Sequence, residues 1–338
     1  GYQMRKAGVP ESLAFFRARL RQDVLQLKWL GVTDIMWWTD VSGECVYHNT
    51  EVVDSEVRYP NFDPLGMLVE IADEEGMKVW AAWHSCARTE QFAQKYCAKD
   101  ASGNLYMYGG RKYCEDMLSP VWRERCRALI DEYAERYGDS ESFQGLGCYD
   151  EMWFGYADFL EDDVEAFDAF SREQFGEPLP DDIAERMAQR RQWTDLDDVW
   201  RRRYVLFKQR VMTDYNGLLI DYCHERGLKF GLELLATAHY SSGWCWGMDS
   251  VALARLGADF LITSPRSSAE AYYPNTVRWA HAHDGWGVYN TRCFRAGPGG
   301  TYFTFNQLWR LIMYGNNPDL PAQLARHIHN QREWEIYL

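Results

Sequence analysis

Asp63–His84, DPLGMLVEIADEEGMKVWAAWH, decides the fold of this 338-residue chain. Asp63-Pro64 opens a helix, because an Asp can cap free amides and proline suits the first helical turn. Leu65, Leu68, Val69 and Ala72 recur at helical spacing, and Gly76 closes the helix. Lys78 to Trp83, KVWAAW, then reads as a strand. It is short and apolar on both faces, as a parallel strand covered by helices should be.

The same unit recurs on either side. Ser12 to Leu30 is expected to be helical, with Leu20, Val24, Leu27 and Trp29 apolar and Gly31 as its stop, and Val32 to Trp38 (VTDIMWW) is the strand that follows. Val121 to Tyr137 is a helix ended by Gly138, ahead of the strand Phe143 to Tyr149 (FQGLGCY). Asp197 to Arg226, stopped at Gly227, leads into Leu228 to Ala236 (LKFGLELLA). Val251 to Leu256 precedes Asp259 to Thr263 (DFLIT), and Thr276 to His283 precedes Gly287 to Phe294 (GVYNTRCF).

Alternating β and α units with no GxGxxG after a strand favour an α/β fold of the (β/α)8 TIM-type barrel over a dinucleotide-binding open sheet. Six strands are read rather than eight. Gly1 to Pro10 reads as a loop after a strand outside the chain, and the helix Phe305 to Tyr314 is followed by helical or irregular sequence, Asn316 to Leu338. The barrel is therefore expected to be incomplete at its first and last strands, with residues 1–338 forming a single catalytic domain. Insertions at 85–120 and 154–200 interrupt the plan. The second follows the fourth barrel strand, is helix-rich and acidic, and suits a cap or an interface.

Composition excludes several classes. Lys plus Arg number 36 against 50 Asp plus Glu, for a net charge of −14; a nucleic-acid partner is not expected, since phosphate binders concentrate Lys and Arg on one face. No apolar stretch approaches the roughly 18 residues of a membrane span. Aromatics make up 15%, with 15 Trp and 21 Tyr spread along the chain, which argues against disorder. The nine cysteines include no CxxC pair, so a zinc ribbon is not expected, and the usage favours a reducing compartment such as the cytoplasm. Cys148 and Cys223 read as buried thiols.

In a (β/α)8 barrel the active site lies at the C-terminal ends of the strands. Here those ends carry Trp37-Trp38-Thr39-Asp40, Trp83-His84, Tyr149-Asp150-Glu151-Met152-Trp153, Glu233, His239-Tyr240 and Arg292. Pyranose rings offer C–H faces that stack on Trp and Tyr, and hydroxyls that need Asp, His and Arg partners. Trp37, Trp38, Asp40, Trp83, His84, Trp153, His239, Tyr240, Trp244, Trp246 and Arg292 are therefore the candidate substrate-binding residues. Barrel-to-helix packing is the plain alternative for any single one of these tryptophans.

Two adjacent carboxylates, Asp150-Glu151, end an apolar strand and cannot both be buried cheaply. Glycoside hydrolysis needs a protonated carboxyl at the leaving oxygen and a second carboxylate as nucleophile or base, about 5–5.5 Å away for retention. Glu151, flanked by Met152 and Trp153, is the better candidate for the acid. Its partner is left open between Glu233, inside an apolar strand, Asp150 itself, and Glu270 in a loop. His84, Cys86, Cys114, Glu115, Asp116 and His239 lack metal-ligand spacing, so no metal and no cofactor is expected. Gly297 to Gly300, GPGG, lacks the lysine and helix register of a P-loop and reads as a mobile loop.

LGVTDIMWW, DPLGMLVEIADEEGMKVWAAWH and GLGCYDEMWF together resemble the second to fourth strands of clan A glycoside hydrolases. FDAFSREQFGEPLP followed by WTDLDDVWRRRYVLFKQRVMTDY is similar to the insertion after the acid in family 42 β-galactosidases. The resemblance covers roughly Leu30 to Leu235. It implies a retaining glycosidase with Glu151 as the acid/base. The clan's nucleophile is a glutamate ending the seventh strand, whereas GVYNTRCF ends without a carboxylate. An α-glycosidase-like arrangement fits Asp150 and Glu233 instead. The expected activity is hydrolysis of O-glycosidic bonds in an oligo- or polysaccharide or other glycoside. The alternatives are a glycan-binding barrel that does not cleave, and a metal-dependent barrel hydrolase or isomerase. A homo-oligomer or additional domains could cover the incomplete barrel edges.

Overall fold

The computed structural model describes residues 13–29, 33–40, 63–84, 86–87, 90–97, 107–108, 112–114, 116–150, 161–188, 198–234, 255–263, 287–289 and 302–304, with positions 52, 99, 104–105, 249 and 252–253 between them. Helix α1 spans Leu13–Trp29 and strand β1 Asp34–Asp40; α2 is Pro64–Glu75 and β2 Lys78–His84. Then come β3 (Cys86–Ala87), α3 (Glu90–Tyr96), β4 (Met107–Tyr108) and β5 (Lys112–Cys114). Helix α4 (Pro120–Tyr137) leads to β6 (Phe143–Asp150), and α5 (Glu161–Phe175), α6 (Ile183–Ala188) and α7 (Val199–Glu225) to β7 (Lys229–Leu234). Strands β8 (Phe260–Thr263), β9 (Gly287–Tyr289) and β10 (Tyr302–Thr304) follow.

The helices begin and end where local chemistry directs. Asp63 accepts a hydrogen bond from the Gly66 amide at 2.8 Å, Pro64 takes the first turn, and Gly76 terminates α2 at φ 65°. Such a cap is worth about 1 kcal/mol. Ser119 and Asp198 cap α4 and α7 in the same way. On the outer surface Arg17, Arg21 and Lys28 of α1 pair with Glu70, Glu74 and Glu75 of α2. Being exposed, these pairs add little to stability.

Seven strands form one parallel sheet in the order β10-β1-β2-β6-β7-β8-β9. Six of them are the strands expected from sequence. The seventh corrects the count: Tyr302–Thr304 pairs with β1 on its free side, Asp34 opposite Tyr302, at the edge assigned above to a strand outside the chain. Three residues after a glycine-rich run are too few to show a period, and only pairing defines this strand. The expected helices Thr276 to His283 and Phe305 to Tyr314, the end of GVYNTRCF beyond Tyr289, and the segments Gly1 to Pro10, GPGG and Asn316 to Leu338 lie outside the described residues. Insertion 85–120 contains a small antiparallel sheet, β3-β5-β4, beside α3.

Apart from Lys78, the described residues of β1 and β2 are buried on both faces, as their unbroken apolar runs required. Ile35, Trp37, Val79, Ala81, Phe230 and Leu232 join the helices in the main core, with Leu68 and Ile71 of α2, Leu129 and Tyr133 of α4, and Leu219 and Ile220 of α7. The alternate positions Met36, Trp80 and Ala82 are buried on the other face. There the Trp80 indole donates to Asp34 at 2.8 Å. Above the sheet α5 docks on α7 through Phe167 stacked on Phe207, with ring centroids 5.1 Å apart. Gly145 marks a bulge in β6: its φ is 131°, and a Cβ there would stand 2.2 Å from the Lys229 carbonyl oxygen. Only glycine lets β6 and β7 close at that point. Among the described residues, no helix is long and apolar enough to cross a membrane.

Candidate active site

Pairing register determines which residues meet at the C-terminal ends of the strands. Asp40 stands opposite Trp83, Trp83 opposite Tyr149, and His84 opposite Asp150. Each pairing follows a shift, between Trp38 and Asp40 in β1 and at two points along β2–β6. Without those bulges Asp150 would overshoot His84. Backbone pairing thus draws Asp40, Trp83-His84 and Asp150 level on three neighbouring strands. Glu233 lies one residue before the end of β7, opposite Ile262.

The end of β1 is held from outside. Thr39 is fully buried; its hydroxyl donates to the Ala82 carbonyl at 3.0 Å and accepts from the Tyr133 hydroxyl at 2.6 Å. Two strands and a helix are therefore tied together one residue short of Asp40. Trp37 is 6% exposed and belongs to the core between sheet and helices. Trp38, Asp40, Trp83, His84, Asp150 and Glu233 occupy strand positions. Glu151, Trp153, His239, Tyr240, Trp244, Trp246, Glu270 and Arg292 lie outside the described residues.

Among the described residues, no group of three or more His, Cys, Asp and Glu converges to hold a metal ion. Cys86 and Cys114 are register partners in the small sheet. Asp116 accepts from the amides of Leu118 and Ser119 in the turn into α4.

Among the described residues, three buried cations escaped the sequence reading: Arg125 on α4, and Arg201 and Lys208 on α7. Arg125 places its guanidinium 4.8 Å over the Trp122 ring and 5.6 Å over Tyr96. Lys208 is 2% exposed, its ammonium 5.1 Å from the Tyr204 ring centroid. A signal was available, since Lys208 interrupts the helical apolar stripe Tyr204, Val211, Met212, Tyr215. Away from the strand ends, burial and then the neighbouring Asp63 hold the Tyr137 hydroxyl well above the usual phenol range.

Polar and aromatic residues thus end neighbouring strands of a parallel sheet with helical crossovers. A sequence family and solved structures of glycoside hydrolases resemble this chain. Residues 55–209, which include Asp150 and Glu151, match the glycoside hydrolase family 42 model, described as β-galactosidase. The fold is shared with the PgaB (BpsB) glycoside hydrolase domain from Bordetella bronchiseptica, at 14% identity and a TM-score of 0.60, over 93% of this chain and 94% of that one. A β-galactosidase from Rahnella sp. R3 aligns at 12% identity and a TM-score of 0.55, over 91% of this chain and 52% of its own. A third, from the psychrophilic Marinomonas ef1, aligns at 17% identity and a TM-score of 0.49, over 74% and 39%. This chain thus spans about half or less of the two β-galactosidases. No curated protein matches it. The resemblance to family 42 read from the sequence therefore stands.

Proposed function

We propose that the chain is the catalytic (β/α)8 barrel of a glycoside hydrolase that cleaves O-glycosidic bonds by a two-carboxylate, retaining mechanism. The observation that carries this reading is the register of β2 and β6. It brings His84 and Asp150 level at the C-terminal edge of a parallel sheet, within the stretch that matches family 42. In this reading residues 1–338 form one (β/α)-barrel domain, incomplete at its edges, with the insertions 85–120 and 154–200 bordering its mouth.

Glu151 protonates the leaving oxygen as the sugar–oxygen bond breaks, then deprotonates the water that releases the sugar. Glu233 or Asp150 attacks the anomeric carbon and holds the glycosyl group between the two steps. Trp38, Trp83, Trp153, Trp244 and Trp246 supply stacking faces, and Asp40, His84, His239, Tyr240 and Arg292 bind hydroxyls. A saccharide or simple glycoside is the substrate.

A panel of 4-nitrophenyl glycosides that includes the β-galactoside tests the activity, and NMR of the first anomer released tests retention. Glu151→Gln is expected to lower kcat by about 10²–10⁴-fold on a poor leaving group and far less on an activated one. Of Glu233→Gln and Asp150→Asn, the one that abolishes turnover on both substrates identifies the nucleophile. Saccharide binding without any turnover would favour a non-cleaving glycan-binding barrel.

A further inference from the structure

We infer that the outer face of α1 is half of a two-fold interface, and that the partner it fits is a second copy of this chain. The inference is independent of the active-site reading.

Helix α1 carries apolar residues on two opposite faces. Phe16, Leu20, Val24 and Leu27 are buried in the core. On the other side Phe15, Ala18, Gln22, Leu25 and Trp29 recur at alternating steps of three and four residues, the spacing of a coiled-coil seam. All five are exposed, Trp29 at 75% and Phe15 at 61%. Seven large hydrophobic residues are exposed among the described residues, and four of them, Leu13, Phe15, Leu25 and Trp29, lie on this one helix. A concentration of that kind marks an interaction surface, whereas scattered exposed apolar residues do not.

The seam borders a groove of about 1030 Å³ shared by α1, α2 and the end of α4. Leu13 and Ala14 line it from α1, Gly66, Met67 and Val69 from α2, and Tyr137 from α4. Its charged groups are four acids, Asp63, Glu70, Asp73 and Asp139, against Arg17 and Arg136. Helix α1 has the opposite balance: Arg17, Arg19, Arg21 and Lys28 against Asp23 alone. A cationic apolar ridge thus lies beside an acidic apolar groove on one face. A face that carries both a feature and its complement is self-complementary, which is the condition for a two-fold interface.

Antiparallel packing of two such seams sets large residues against small ones, Trp29 of one copy on Ala18 of the other and Leu25 on the methylenes of Gln22. The C-terminal half of one α1 then lies beside the groove that the N-terminal half of the other borders. Arg17 pairs with Glu70 and Tyr137 with Asp63, so the three helices stand side by side. At about 8–10 Å between axes they present a face about 30 Å wide, side chains included. Over the length of α1, about 25 Å, this gives on the order of 750 Å², close to the roughly 800 Å² per partner of a stable complex.

Sedimentation velocity of the full chain over about 1–100 µM tests the inference. The expected species is a dimer of twice the 39.6 kDa chain mass. Trp29→Glu is expected to raise the dimer dissociation constant by about 30-fold or more, and Leu25→Glu to weaken the dimer as well. Both sites are exposed, so the far-ultraviolet circular dichroism should match wild type; Leu25→Glu carries the comparison if Trp29→Glu does not fold. Leu206→Glu, at an exposed apolar site on α7, should leave the dimer in place. A wild type that stays monomeric at the highest concentration overturns the inference and leaves the face to a different partner. A trimer overturns it too, because a two-fold face closes after two copies. So does a dimer that survives both glutamate substitutions, since its contact would lie elsewhere.

Discussion

The Tyr133 hydroxyl donates to the Thr39 hydroxyl at 2.6 Å, joining the C-terminal part of α4 to the end of β1 next to Asp40. Both residues are fully buried, and Thr39 passes the chain on to the Ala82 carbonyl. Tyr133→Phe removes a single oxygen and is expected to cost about 1–2 kcal/mol, read as a lower urea midpoint with unchanged slope. Because the loss falls at the strand end, activity on aryl glycosides should fall with it. Tyr133→Phe with full stability would show that the end of β1 is held by packing alone.

Asp23, on the buried side of α1, is 3% exposed, and its Oδ2 meets no hydrogen-bond donor among the described residues. Burial raises its pKa to about 6, against a partial opposing effect of Arg19. The folded state therefore prefers the protonated acid. Its stabilising contribution is complete below the unfolded pKa near 3.8 and is lost as pH rises through about 6. The stability gap between wild type and Asp23→Asn should shift in favour of the variant by on the order of 2–3 kcal/mol between pH 4 and pH 8. Urea denaturation at the two pH values measures it, and a constant gap would contradict it.

Gly145→Ala forces a Cβ to within 2.2 Å of a backbone oxygen at a φ of 131°. Neither group can yield without separating β6 from β7. A cost of about 3 kcal/mol or more is expected. Gly76→Ala is the useful contrast, because nothing lies within 4 Å of its Cβ position and only the positive φ resists. It should cost about 1 kcal/mol. Thermal melts of the two variants rank them directly.

Asp63 does two things at once: it caps α2 and accepts the Tyr137 hydroxyl at 2.6 Å. Asp63→Ala should cost about 2 kcal/mol. Arg21→Ala, which removes exposed pairs to Glu74 and Glu75, should cost under about 1 kcal/mol. Equal losses would mean that the surface pairs matter more than the cap.

Much of this molecule was legible in the chain because the relevant interactions are local. Asp63-Pro64 and Gly76 bound α2 through contacts within one helical turn, and Gly138 ends α4 through its own Ala134 carbonyl. The apolar runs around Ile35 and Val79 demanded burial on both faces whatever their neighbours. Asp150-Glu151 was conspicuous because two carboxyls seldom end such a run. Pairing register could not be read in this way. That His84 faces Asp150 depends on bulges whose cost is met only when β2, β6 and β7 are together. Tyr302–Thr304 is a strand only because β1 offers it an open edge. Lys208 reads as a surface residue on any scale of hydropathy, and it is buried only once α7 is packed against its neighbours. Local propensity and periodicity were set by the sequence alone; strand partners, the level of the strand ends and the burial of charge were decided by tertiary contact, since each depends on residues far apart in the chain.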